Sequence, residues 1–99
     1  MWYVITGKDA AGALETRRRV RAEHLERARH LADAGRMLVA GPCPSIDARD
    51  PGPAGFSGSV IIAEFESLDA ARTWIAADPY VTAGVFESWD VRPFVKVLP

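Results

Sequence analysis

Three short apolar runs in this chain carry hydrophobic side chains at both alternating positions, and that feature constrains the fold most. In the first run Val4 and Thr6 alternate with Tyr3 and Ile5; in the second Val39 alternates with Leu38 and Ala40; in the third Val60 and Ile62 alternate with Ile61 and Ala63. A strand with one face in water reads apolar-in and polar-out, whereas these strands ask for cover on both faces. With 99 residues and one cysteine, Cys43, no intramolecular disulfide can staple the chain, and a domain this small buries a modest share of its surface. The sequence is therefore expected to form one domain over residues 1–99 that self-associates.

The order of elements supports this. Residues 2–7 form a β-branched and aromatic run closed by Gly7 and read as the first strand. Residues 14–34 are good helix formers with apolar positions three and four apart, followed by Gly35 as a C-terminal cap; the pattern has a weak point near Val20. Residues 37–40 give a second strand, stopped by Gly41, Pro42 and Pro44 because proline cannot donate to a central ladder. Residues 44–57 lose all periodicity and form a long loop, a candidate lid. Residues 59–65 supply a third strand, Ser67 an N-cap for a helix over residues 68–77, and Asp78-Pro79 its end. Residues 85–97 read as the last strand, with Pro93 marking an edge or a bulge.

The β-α-β-β-α-β order is the ferredoxin-like α+β arrangement, two helices covering one face of a four-stranded antiparallel sheet. The other apolar face is expected to pair with a second copy; the alternative is that the long loop folds over it. The longest apolar runs fall far below the roughly 20 residues of a membrane span, and Trp2-Tyr3-Val4-Ile5 has no basic flank or cleavage site of a signal peptide. A soluble, cytoplasmic protein is expected. Arg17-Arg18-Arg19 invites a nucleic-acid reading, but Glu15, Glu23 and Glu26 intersperse it, and 12 Lys+Arg against 13 Asp+Glu leave a net charge of -1, so a solvated helix face explains it better.

Within residues 14–34, the helical wheel groups Val20, Leu25, Ala28, Leu31 and Ala32 on the presumptive core arc, and His24, Arg17 and Arg21 fall inside it. His30 lies among charges on the opposite side and reads as an ordinary exposed histidine. An inward His24 needs a partner for its ring nitrogens. Continuing the second helix places Asp78 among Trp74, Ala71 and Ile75 on its apolar side. There it either caps the helix junction or pairs with a cation, His24 and Arg21 being the evident candidates. If they meet, the carboxylate fixes the imidazole tautomer and His24 becomes a general acid or base. Cys43 sits in no nucleophile motif, no glycine pattern matches a phosphate loop, and no third ligand joins His24 and Asp78, so neither a metal nor another cofactor is expected.

Five blocks resemble the YciI-like (YCII-related) family of small bacterial proteins: Met1-Trp2-Tyr3-Val4-Ile5, Arg21-Ala22-Glu23-His24-Leu25, Ala40-Gly41-Pro42, Gly55-Phe56-Ser57-Gly58-Ser59 and Asp78-Pro79-Tyr80-Val81-Thr82-Ala83-Gly84-Val85. Ala22 stands where a proline is common in the family. The resemblance implies a subunit that dimerises through its sheets into a dimeric α+β barrel, a His and Asp pair falling on His24 and Asp78, and a pocket lining that includes Gly41, Ser59 and Tyr80. By analogy with a dehydrochlorinase of a chlorinated hydroxyhydroquinone and with muconolactone isomerases of similar fold, it implies a cofactor-free lyase or isomerase acting on a small hydroxylated or aromatic metabolite. In that scheme His24 moves the proton, Asp78 orients it and Arg21 attracts an anionic or enolic substrate. The alternative is a non-catalytic dimeric small-molecule-binding or accessory module. Haem chemistry, which similar folds also host, would have only His24 as a ligand, in competition with Asp78.

Overall fold

The computed structural model describes residues 1–99. Four strands, β1 (Trp2–Asp9), β2 (Met37–Pro44), β3 (Phe56–Glu64) and β4 (Phe86–Phe94), form one antiparallel sheet in the order β2-β3-β1-β4. Helices α1 (Leu14–Asp33), α2 (Leu68–Ala76) and the single turn α3 (Pro79–Thr82) complete the chain. The architecture is the ferredoxin-like α+β fold expected from the order of elements, with α3 as an addition.

One row across the sheet shows how the two faces separate. Ala40 opposes Ile61, Ile61 opposes Ile5 and Ile5 opposes Val91, and Ile5, Ile61 and Val91 are buried with Tyr3 and Ala63 in the core with Leu31, Ala71, Ile75 and Val85. The next row, Val39, Ile62, Val4 and Arg92, points the other way. There Val39 is 52% exposed, and Val4, Val60 and Ile62 remain half-buried. The long loop does not cover that face: Gly55 packs against Leu14 at the start of α1, and Ser45, Pro53 and Ala54 share a depression with residues 9–14.

Several boundaries differ from those read in the sequence. Helix α1 is continuous through Val20 and ends in a Schellman cap, with Arg36 N–H on the Leu31 carbonyl and Gly35, at φ 72°, turning the chain. Strand β2 runs on through Pro42 and Pro44, because β2 is an edge strand and a missing N–H is tolerated there. Strand β1 continues past Gly7 to Asp9, and β3 begins at Phe56 rather than at residue 59. β4 is shorter than read, ending at Phe94 and leaving Val95, Val97 and Leu98 70%, 82% and 83% exposed.

Glycines permit the early start of β3. A Cβ on Gly58 would collide with the Gly7 carbonyl on the neighbouring strand, and one on Gly7 would enter the Phe86 ring. Gly58→Ala is therefore expected to lower stability by about 1–3 kcal/mol through overpacking against backbone, read as a shifted midpoint in urea denaturation; an unchanged midpoint would contradict this packing.

Candidate active site

Helix α1 presents Arg17, His24, Ala28 and Leu31 to the sheet, residues spaced by seven, four and three, and all four are buried. Ala28 leaves room beside His24. Across from this stripe α2 stops at Asp78-Pro79. Proline occupies the first position of α3, and Asp78, extended at φ -71° and ψ 140°, caps it: Oδ1 accepts from the Tyr80 N–H at 2.9 Å. Asp78 is completely buried.

The same carboxylate meets His24 and Arg27. His24 Nδ1 lies 2.9 Å from Asp78 Oδ1, and Arg27 Nη1 donates to Oδ2 at 2.9 Å. Arg27 also donates to the Trp74 carbonyl at 2.8 Å near the C-terminal end of α2, with its guanidinium 4.5 Å from the Trp74 ring centroid. Burial alone would raise Asp78, but the hydrogen bonds from His24 and the Tyr80 amide, the His24 charge and Arg27 outweigh it and hold the carboxyl below its ordinary range. An ionised carboxylate only accepts, so Nδ1 carries a proton towards Asp78, and whenever the imidazole is uncharged its lone pair is on Nε2. The capping and pairing roles considered for Asp78 are thus both filled. Its cation is Arg27, not Arg21, which is exposed and makes no ion pair.

His24, Arg21, Gly41, Ser59 and Tyr80, together with Arg17, line one cavity of about 150 Å³ walled by Leu25, Ala28 and Ile61. Asp78 lies behind His24 and does not reach it. Nε2 has no protein partner, and no buried side-chain nitrogen or oxygen is left unpaired, so Nε2 is open to the cavity that His24 lines. The Tyr80 ring stacks on the imidazole, centroids 3.9 Å apart and planes within 7°, which fixes the imidazole plane. A larger, open groove between α2 and the start of β1, lined by Met1, Phe65 and Trp74, shares no lining residue with this cavity and contains no buried ionisable side chain.

Two functional neighbours escaped the sequence reading. Arg27 lies three residues after His24, on the adjoining helix face; that spacing is the signal that could have found it. Arg17 was placed on the inward arc, but its partner was not foreseen: its Nε and Nη2 bind both Asp9 carboxylate oxygens at 2.8 Å, and Nη2 also reaches Ser59 Oγ at 2.9 Å. Burial works against the Arg17 charge, but Asp9 more than compensates and raises it above its ordinary value.

A ferredoxin-like domain with a buried histidine-carboxylate pair beside a small cavity is the class of protein these features define. The chain belongs to the YCII-related domain family, whose model matches residues 1–95. It is 58% identical over 97 residues to the protein YciI of Escherichia coli O6:H1, covering 98% of this chain and 99% of that one. It is 50% identical over the same length to an uncharacterised protein of Haemophilus influenzae. Among solved structures it is similar to the 5-chloro-2-hydroxyhydroquinone dehydrochlorinase TftG of Burkholderia phenoliruptrix, in complex with 2,5-dihydroxybenzoquinone, with a TM-score of 0.84 and 28% identity over 96% of this chain and 94% of that one. An antibiotic biosynthesis monooxygenase, at a TM-score of 0.52 and 18% identity, shares the fold.

The depressed Asp78 carboxyl carries a pH dependence. A group held lower when folded than when unfolded stabilises the fold fully above its unfolded value and loses that contribution as pH falls through the folded one. The stability gap between wild type and Asp78→Asn, measured by urea denaturation, is expected to be constant near neutral pH and to shrink below about pH 4. A gap that widens on acidification would refute the assignment.

Proposed function

We propose that the protein is a cofactor-free acid/base catalyst, a lyase or isomerase, acting on a small hydroxylated or aromatic ring metabolite. The observation that carries this is the 2.9 Å contact of His24 Nδ1 with the Asp78 carboxylate while Nε2 opens to the cavity. Asp78 holds the ring orientation and stabilises the imidazolium formed when Nε2 takes a proton from a ring hydroxyl. The released electron pair moves into the ring. His24 returns the proton to a ring carbon; either that carbon bears a halide, which departs with its bonding pair when a second ring hydroxyl is deprotonated, as a dehydrochlorinase requires, or the sequence stops there as an isomerisation. The similarity to TftG favours the first course. Arg21, cationic and unpaired at the cavity wall, attracts an anionic or enolic substrate, while Gly41, Ser59 and Tyr80 shape the slot.

Screening chlorinated hydroxyhydroquinones and related ring enols for chloride release or a change in ultraviolet absorbance tests this reading. On a substrate so found, His24→Ala and Asp78→Asn are each expected to reduce kcat about 10²–10⁴-fold. Normal turnover by both variants would rule the pair out.

The working form in this proposal is a homodimer joined sheet to sheet. Helices cover one face, and Val4, Val39, Val60 and Ile62 lie on the other, a patch that a second copy would bury. Sedimentation at low micromolar concentration is expected to give twice the mass of the chain, and Ile62→Lys to give the monomer mass. A monomeric wild type would refute the dimer.

A further inference from the structure

The carboxylate behind His24 is divided between two cationic side chains. Oδ1 of Asp78 meets the His24 ring and the Tyr80 N–H, while Oδ2 accepts from Arg27 Nη1 at 2.9 Å. Arg27 does not line the cavity, so it has no direct contact with a ligand there. Nor is its bond to Asp78 needed to brace α1 against α2, since Nη2 already reaches the Trp74 carbonyl at 2.8 Å and the guanidinium lies 4.5 Å from the Trp74 ring centroid. What the Nη1 contact adds is charge.

A buried carboxylate alone beside an imidazole favours the imidazolium, because the two then form a neutral pair away from water. Such a histidine carries protons on both nitrogens and cannot take another. With Arg27 on Oδ2 the carboxylate is already neutralised, and protonating His24 leaves one positive charge on a cluster whose histidine and aspartate side chains are 9% and 0% exposed. Arg27 keeps part of its side chain in water and sits near the C-terminal end of α2, where a helix favours a cation, so its own charge is easily maintained.

The other groups around His24 do not reverse this balance. On its own helix, Arg17 is matched by Asp9, Arg21 adds positive charge at the cavity wall, and Glu23 and Glu26 are exposed. From α3, Tyr80 stacks on the ring, and burial pushes its phenol above the ordinary value, so it stays uncharged. β2 and β3 bring Ala40, Gly41, Pro42, Ser59 and Ile61 to the same cavity, none of them ionisable near neutral pH.

We propose that Arg27 is a positioning residue for the pair: it takes up the charge of Asp78, so that the carboxylate orients His24 without holding it as the imidazolium. This rests on the acid/base reading and adds the resting state of the site, with Nδ1–H on Asp78, a lone pair on Nε2 and no net charge over the three side chains. When Nε2 takes a proton the cluster gains one positive charge, matched by the negative charge left on the ligand, and no further reactant is needed.

Proton NMR titration of the imidazole Cε1–H resonances of the full-length protein tests this without any ligand, the exposed His30 serving as internal reference. Relative to wild type, the His24 midpoint is expected to rise by about one pH unit in Arg27→Gln, which keeps a donor but not the charge, and to stay within about 0.3 pH units in Arg27→Lys. His30 should not move in either. A purely structural brace would lower the stability of both variants and leave the midpoints in place; that result, or a lysine variant that moves as far as the glutamine one, overturns the proposal. Arg27→Met, which keeps the stem against Trp74, is a second neutral variant and should move at least as far as Arg27→Gln. Because a protonated His24 can replace Arg27 as the cation of Asp78, both neutral variants should fold at about pH 5.5; failure of both to fold there also overturns it. On a turned-over substrate, the acid limb of the kcat/KM profile should move to higher pH in Arg27→Gln by the same amount as the midpoint, and an unmoved limb overturns the role. The midpoints need no turnover, so failure of the His24-Asp78 pair in its own turnover test is read separately.

Discussion

A carboxylate with no exposed surface is the constraint around which the site is organised. Asp78 can remain ionised inside the protein only because three donors converge on it: the His24 ring, the Tyr80 amide and the Arg27 guanidinium. Each donor comes from a different part of the local framework, the middle of α1, the start of α3 and the next turn of α1. Satisfying one buried charge therefore fixes α1 against the α2-α3 junction. Removing any of the three would leave the charge short of partners, so the geometry that poises His24 also holds the helices together.

A second ion pair does the same at the other end of the cavity. Arg17 binds Asp9 and Ser59 and thereby ties α1 to β1 and β3. The Tyr80 ring touches both systems, stacked on His24 and facing Arg17. The cavity is bounded by two polar assemblies joined through one aromatic ring, with small and aliphatic side chains between them. The cavity thus has polar groups at its ends and apolar walls between them, the lining that small-molecule sites commonly have.

Much of this was legible in the sequence, for identifiable reasons. Short β-branched and aromatic runs and helical spacing located all four strands and both long helices, and the inward position of His24 followed from its neighbours Ala28 and Leu31. Arg27 was missed because it lies at the margin of the inward arc, just beyond Val20 on the helical wheel, and from there reaches past the helix edge to a carboxylate and a carbonyl on the next element. The partner of Arg17 was missed because Asp9 was read as loop, beyond the glycine that seemed to end β1. The first residues of β3, Phe56-Ser57-Gly58, were read outside the strand because they continue a stretch rich in proline, glycine and serine that has no periodicity; tight contact with β1 requires the absence of a side chain at Gly58. β2 was cut short by prolines whose missing donors matter little at the edge of a sheet.

Those prolines have a wider consequence. Both outer strands carry them, Pro42 and Pro44 in β2 and Pro93 in β4. A strand arriving from another molecule would find gaps in the row of amide hydrogens it needs, so neither rim is a continuous template for sheet extension. The fold thus guards its own margins against runaway sheet extension, whatever its remaining apolar face meets.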